Sequence, residues 1–161
     1  MQDTMVEKMG RASIIMNKLS HLIWIALIFI CSCDDNLGQD QIPIADFQDV
    51  VINLTLPEFV DLNRDGTSIY INRGGLRGLI LYRENPSSYI AFERTCSYLP
   101  NEACANVEVH SSKLYMRDPC CGSTFNFPTG QPTSGPARYN LRIYETRLDG
   151  NVLTITDNIA N

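Results

Sequence analysis

The sequence predicts an all-β fold, an antiparallel sandwich or barrel of short strands. Three observations carry that reading. Runs of four to eight residues rich in β-branched and aromatic side chains recur along the chain, clusters of Gly, Pro, Asn and Asp punctuate them, and no stretch after residue 46 has helical periodicity. No internal repeat is present.

The elements follow in order. Val50 to Leu56 is β-branched and stops at Pro57, so it is the first strand. Asp61-Leu62-Asn63-Arg64-Asp65-Gly66 has the alternating oxygens and the Gly of half a calcium loop. Its twelfth position, however, is Asn72 instead of Glu, and strands flank it, so a turn is expected there. Ser68 to Asn72 and Leu76 to Arg83 are strands around the Gly74-Gly75 turn, and Tyr89 to Arg94 is a fourth. Lys113 to Met116, Ser123 to Phe127, Leu141 to Thr146 and Val152 to Thr156 complete the set, the last two joined by the Asp149-Gly150 turn signal. Tyr70, Tyr82, Tyr89 and Phe92 alternate with polar neighbours, as core-facing strand positions do. Gln131 to Ala137 is a Pro-rich loop with a strand pair after it, so it is expected to cover something.

The first 32 residues read as an export signal. Lys8, Arg11 and Lys18 make a basic leader, and Leu22 to Ile30 is an apolar run of nine residues, too short for a membrane-spanning helix. Met16-Asn17-Lys18 is also a normal signal opening, which places an alternative start at Met16. Ile30-Cys31-Ser32-Cys33 resembles a lipobox, with a branched residue three before the cysteine and a small one just before it. That resemblance implies cleavage before Cys33, acylation of Cys33, and a lipid anchor in the outer membrane, on its periplasmic or cell-surface face. The acidic pair Asp34-Asp35 is similar to the surface-export signal of lipoproteins of the Bacteroidetes. Residues 33 to 46 are then the lipidated end and a polar tether, and residues 47 to 161 are the β domain.

From Asp34 onward, 10 Lys plus Arg face 16 Asp plus Glu, a net charge of −6 with no basic stripe, which argues against a nucleic-acid partner. Asn53-Leu54-Thr55 matches a glycosylation pattern by chance inside a strand, and His110 has no nucleophile tied to it by any motif. No catalytic residue set is expected. Once Cys31 leaves with the signal and Cys33 carries lipid, Cys96, Cys104, Cys120 and Cys121 remain in an oxidising compartment where thiols pair.

Those four cysteines sit in two loops with a recognisable pattern. Cys96-Ser97-Tyr98 precedes Cys104, and Asp118-Pro119-Cys120-Cys121-Gly122-Ser123-Thr124-Phe125 is followed by Gly130-Gln131-Pro132-Thr133-Ser134-Gly135-Pro136-Ala137. From about Val50 to Thr156 this order resembles a Rieske iron–sulfur domain. In that family one loop is Cys-x-His, the other is Cys-x-x-His followed by Gly-Ser-x-Phe, and a Pro-rich loop covers the cluster. The resemblance implies a Rieske-like antiparallel β-sandwich with a small loop subdomain at the former cluster site.

The ligands depart from the family. At the former cluster-ligand positions, Cys96 is kept, Tyr98 replaces the first histidine, Asp118 the second cysteine and Cys121 the second histidine. After Cys33 the chain has only His110, which lies between the loops, so two histidine ligands are excluded by count. No cofactor or metal is therefore expected. A [2Fe–2S] cluster or zinc on Cys96, Asp118, Cys121 and Tyr98 or Cys104 stands as the alternative. The resemblance further implies that Cys104 and Cys120 form the clamp between the loops, and that Cys96 and Cys121, facing across the vacated pocket, form a second bridge. Two other pairings stay open, one of which joins the adjacent Cys120 and Cys121 in a strained ring.

The expectation for function is a lipid-anchored, cluster-less Rieske-like module with a structural or interaction role, an accessory subunit that binds a protein partner in an outer-membrane assembly. The alternative is a redox protein, working through the Cys96 and Cys121 thiols or through an atypical metal centre.

Overall fold

The computed structural model describes residues 41 to 160. The expected signal segment, the expected lipidation site Cys33 and most of the expected tether lie outside the described residues.

Among the described residues, ten strands form two antiparallel sheets, accompanied by one 3-10 helix. The larger sheet contains β1 (Val50–Asn53), β2 (Thr67–Ile71), β3 (Leu79–Asn85), β4 (Ser88–Glu93), β9 (Ile143–Asp149) and β10 (Val152–Ile159), in the order β1-β10-β9-β4-β3-β2. The smaller contains β5 (Glu108–Val109), β6 (Tyr115–Arg117), β7 (Thr124–Asn126) and β8 (Pro132–Ser134), in chain order. The smaller sheet and its loops are inserted between β4 and β9, neighbours in the larger one. This is the all-β, antiparallel two-sheet arrangement expected from the sequence, with the cysteine loops forming a small subdomain.

The two-residue period of a strand explains how one sheet serves two cores. Leu79, Leu81 and Ala91 face a first core with Val50, Ile52, Phe59, Leu62, Tyr144, Leu153 and Ile155. Ile80 and Phe92, one residue out of phase, face a second core with Met116, Phe125, Ala137, Leu141 and Cys96. The second core fastens the cysteine loops to the sheet.

Several local expectations are corrected. The first strand ends at Asn53, whose side-chain oxygen accepts the Thr55 N–H at 3.0 Å and turns the chain. The segment Pro57–Asn63 forms a 3-10 helix, with Pro at its start and Phe59 and Leu62 buried. Within the calcium-like stretch, Asp65 is paired with Arg83 at 2.9 Å. Tyr70 is exposed instead of core-facing: its ring lies under Arg94, 4.6 Å from the guanidinium carbon, and its oxygen accepts the Val109 N–H at 2.8 Å. At the end of the tether, Ile42 and Ala45 are buried, and Arg142 donates to the carbonyls of Ile42 and Pro43, so the chain joins the domain before residue 47.

The strand expected from Leu76 starts at Leu79, because a fully buried carboxylate captures the residues before it. Glu93 accepts the Leu76 N–H at 2.8 Å, the Arg77 N–H at 3.2 Å, the Thr95 N–H and hydroxyl at 2.9 Å, and the Tyr144 hydroxyl at 2.9 Å. Five donors satisfy a charge that burial would otherwise make costly. Burial and the Glu93 carboxylate push the Tyr144 hydroxyl's pKa up. A Cβ on Gly75 would come within 2.5 Å of Glu93 Oε2, at a φ of +66°. Only glycine lets that turn close over the carboxylate.

Candidate functional site

Three loops meet beyond the ends of β4, β6 and β8. The first leaves β4 and is pinned at its base by the Thr95 bridge to Asn106 and by the Cys96 N–H donating to the Ala105 carbonyl at 3.2 Å. Its outer part is gripped by Arg77, whose guanidinium donates to the carbonyls of Ala103 and Glu102 at 2.6 Å each and of Pro100 at 3.5 Å. One charged side chain thereby holds three carbonyls of the loop's outer part.

The second loop joins β6 to β7. The Asp118 N–H donates to the Ser123 carbonyl at 2.9 Å, and the Gly122 N–H to the Asp118 carbonyl at 2.9 Å. The Asp118 carboxylate turns back on its own loop and accepts the Cys120 N–H at 2.7 Å. The third loop lies over the second. The Ala137 N–H donates to Ser123 Oγ at 3.0 Å, and the Ser97 hydroxyl donates to the Tyr139 carbonyl at 2.6 Å. At Gly135, φ +89°, a Cβ would come 2.5 Å from Ser123 Cα. The Pro-rich segment covers the cysteine loops, as its composition suggested.

Two pairs of cysteines join the first and second loops. Cys104 and Cys120 are bonded, with Cα atoms 5.6 Å apart. Cys96 and Cys121 are not: both are free thiols with sulfurs 3.8 Å apart, a contact instead of the expected second bridge. The physical reason lies in what holds Cys121. Its thiol donates to Asp118 Oδ2 at 3.3 Å and lies 3.1 Å from Ser123 Oγ, while its sulfur accepts the Ser123 N–H at 3.4 Å. Cys96 Sγ accepts the Tyr98 N–H at 3.5 Å. Cys96 and Asp118 are fully buried and Cys121 half-buried. Burial pushes the Cys96 thiol's pKa far up, and a hydrogen bond to the Asp118 carboxylate adds to the rise.

Cys96, Asp118 and Cys121 thus come together, each offering a donor atom within 4.8 Å of the others. Tyr98 joins them through its backbone N–H, and its side chain packs against the second core. Cys104, bonded to Cys120, is withdrawn from any ligand set. His110 lies elsewhere: its ring stacks on Tyr115, centroids 4.3 Å apart, and Nδ1 is 2.9 Å from the Ser112 hydroxyl. A Rieske cluster, held by two cysteines on one iron and two histidines on the other, does not fit this donor set. Two thiols in contact beside a carboxylate replace it. Surface grooves of about 350, 460 and 450 Å³ are lined by other residues, and the site is a buried side-chain contact with one half-open member.

Sequence patterns single out Cys96, Asp118 and Cys121, but not Ser123, Arg77 or Glu93. The Gly-Ser pair after Cys121 was the available sign for Ser123. Arg77 acts on carbonyls 23 to 26 residues away, and Glu93 on donors that include Leu76 and Tyr144, 17 and 51 residues away.

No protein-family model matches the chain, and no curated protein matches it. Among solved structures, it is similar to the complex of reduced oxygenase and oxidised ferredoxin in carbazole 1,9a-dioxygenase: 23% identity, TM-score 0.45, with 61% of this chain and 87% of that chain covered. It is also similar to the ferredoxin of carbazole 1,9a-dioxygenase from Nocardioides aromaticivorans IC177: 20% identity, TM-score 0.41, with 58% of this chain and 86% of that one covered.

Proposed function

We propose that the chain is a thiol–disulfide redox protein of the cell envelope, in which Cys96 and Cys121 cycle between dithiol and disulfide. The observation that carries this reading is the 3.8 Å contact of two unbonded sulfurs beside a second, bonded pair joining the same loops. Closing the bond needs an approach of about 1.8 Å to reach the usual S–S length.

The roles divide by access. Cys121 is half-buried and reachable, so it attacks a partner's disulfide as the thiolate, breaking that bond, forming a mixed disulfide and releasing one partner thiolate. Cys96 is buried and stays protonated until that moment. As its sulfur then attacks Cys121, the Asp118 carboxylate is placed to take its proton, and the second partner thiol leaves. Two electrons and two protons pass from the protein dithiol to the partner, and the reverse sequence restores the thiols. The partner in this reading is another envelope protein. The lipobox-like sequence before Cys33 supports attachment to the membrane on which that partner resides.

The test is the reduction potential of the inner pair, measured by equilibration in thiol–disulfide buffers with peptide mapping. A value above about −300 mV supports exchange, and a lower one indicates an inert bond. The second reading, a structural or interaction module, is favoured by the bond between Cys104 and Cys120 and by the Arg77 grip, which order the loops without any cluster. A low potential would leave that reading standing. Anchoring is tested separately, by fatty-acid labelling that Cys33→Ala abolishes.

A further inference from the structure

We propose that the reduced site binds one thiophilic divalent cation through Cys96 Sγ, Cys121 Sγ and Asp118, and that oxidation of the two thiols expels it. The inference rests on the redox reading only for the expulsion. The binding half stands on the geometry.

Three donors of the right kinds converge. Two sulfurs and a carboxylate oxygen within 4.8 Å of one another are acceptable zinc ligands, and three protein ligands with a fourth position toward solvent is a common zinc arrangement. The open side would be that of Cys121, the half-buried member.

Two further observations point to a cation. Both sulfurs receive backbone N–H groups, from Tyr98 and Ser123, and an N–H aimed at sulfur suits a metal-bound thiolate better than a neutral thiol. The Asp118 carboxylate, fully buried, has the Cys120 N–H and the Cys121 thiol as its donors, and among the described residues it has no ion pair with Lys, Arg or His. The buried Glu93, by contrast, is surrounded by five donors. A buried carboxylate beside two thiols is a site in which the compensating positive charge is missing, and a divalent cation supplies it.

The exchange balances. Binding releases two thiol protons as the cation enters. Oxidation by a small disulfide then forms the Cys96–Cys121 bond, breaks the reagent's S–S bond, consumes two protons, and releases two small thiols and the free cation. Metal occupancy and redox state are thereby exclusive.

The experiment uses the full-length chain carrying Cys31→Ser and Cys33→Ser, in detergent and mildly reduced so that two thiols titrate and the outer bond stays closed. Cadmium serves as the optical probe through its thiolate absorption, and zinc is added in competition. The expected result is one cadmium per chain, protection of both thiols from alkylation, at least about 100-fold weaker binding in Asp118→Asn and loss of binding in Cys121→Ser. One equivalent of metal should then be released per disulfide formed on adding oxidised glutathione. Absence of stoichiometric binding, or binding unaltered by either variant, overturns the inference and leaves the redox reading intact if the potential lies in the exchange range. Stoichiometric binding to a pair that cannot be oxidised keeps the metal site, overturns the expulsion and contradicts the redox reading.

Discussion

The two cysteine pairs join the same two loops, yet one is bonded and the other open. Cys104 lies exposed, and its bond to Cys120 closes a loop with a sequence separation of 16. Cys96 and Cys121 lie inward of it, sulfurs in contact, with Asp118 and Ser123 occupying the hydrogen-bonding directions a second bond would vacate. The difference teaches that the loops are tied by the outer bond, the Arg77 grip and the cover-loop hydrogen bonds, with no second bond between them. The inner pair is then free to carry chemistry instead of mechanical load.

Breaking the outer bond should have the largest effect. Cys104→Ala with Cys120→Ala is expected to cost about 3 kcal/mol in denaturant unfolding, the amount a cross-link of this loop length removes from the unfolded chain. It should also slow closure of the inner pair, because the loops would no longer hold the sulfurs together. If closure is unaffected, the outer bond does not position the inner thiols.

Disturbing the cover loop should come next. Gly135→Ala is expected to cost about 2 kcal/mol, since it places a side chain at a left-handed φ against the Ser123 backbone. Alkylation of Cys121 should speed up as Ser123 shifts, and an unchanged rate would show that the cover does not reach the site.

The buried thiol sets a pH dependence. Its pKa is raised by folding, so its contribution to stability is fully present at neutral pH. That contribution is lost as pH climbs above the ordinary thiol range toward the raised folded value. The reduced protein should lose at most about 1.4 kcal/mol per pH unit there. Cys96→Ser should flatten that slope, and Asp118→Asn should lower the Cys96 pKa, because it removes a carboxylate that raises it. At neutral pH, Cys121 should be alkylated well before Cys96.

The smallest change is Arg77→Ala. It removes donors to three carbonyls of the first loop and should cost about 1 kcal/mol. Its mark should be faster proteolysis between residues 99 and 104, with the inner pair undisturbed.

What is legible in the sequence follows what is local. The Asp149-Gly150 turn and its strands are paired as expected, Asp149 opposite Val152, because turn chemistry and alternation act over a few residues. The three side chains of the site could be named because the two loops resemble a known ligand pattern, position by position. What escapes depends on distant partners. β5 and β8 are two and three residues long, and β8 is a strand through its pairing with β7, although Pro132 reads as loop. Glu93 lies inside the expected fourth strand, and three of its five donors, from Leu76, Arg77 and Tyr144, are distant in the sequence. The open state of the inner pair escapes for the same reason: it depends on where the Asp118 and Ser123 side chains point, which the order Cys-Cys-Gly-Ser does not state.

The central claim, that the two pairs have different jobs, is tested most directly by mapping both through one redox titration of the full-length chain. The account predicts that Cys96 and Cys121 interconvert between thiols and disulfide at a potential above about −300 mV while Cys104–Cys120 stays closed throughout. Both bonds opening together at a lower potential, or an inner pair fixed in one state across the range, would contradict it.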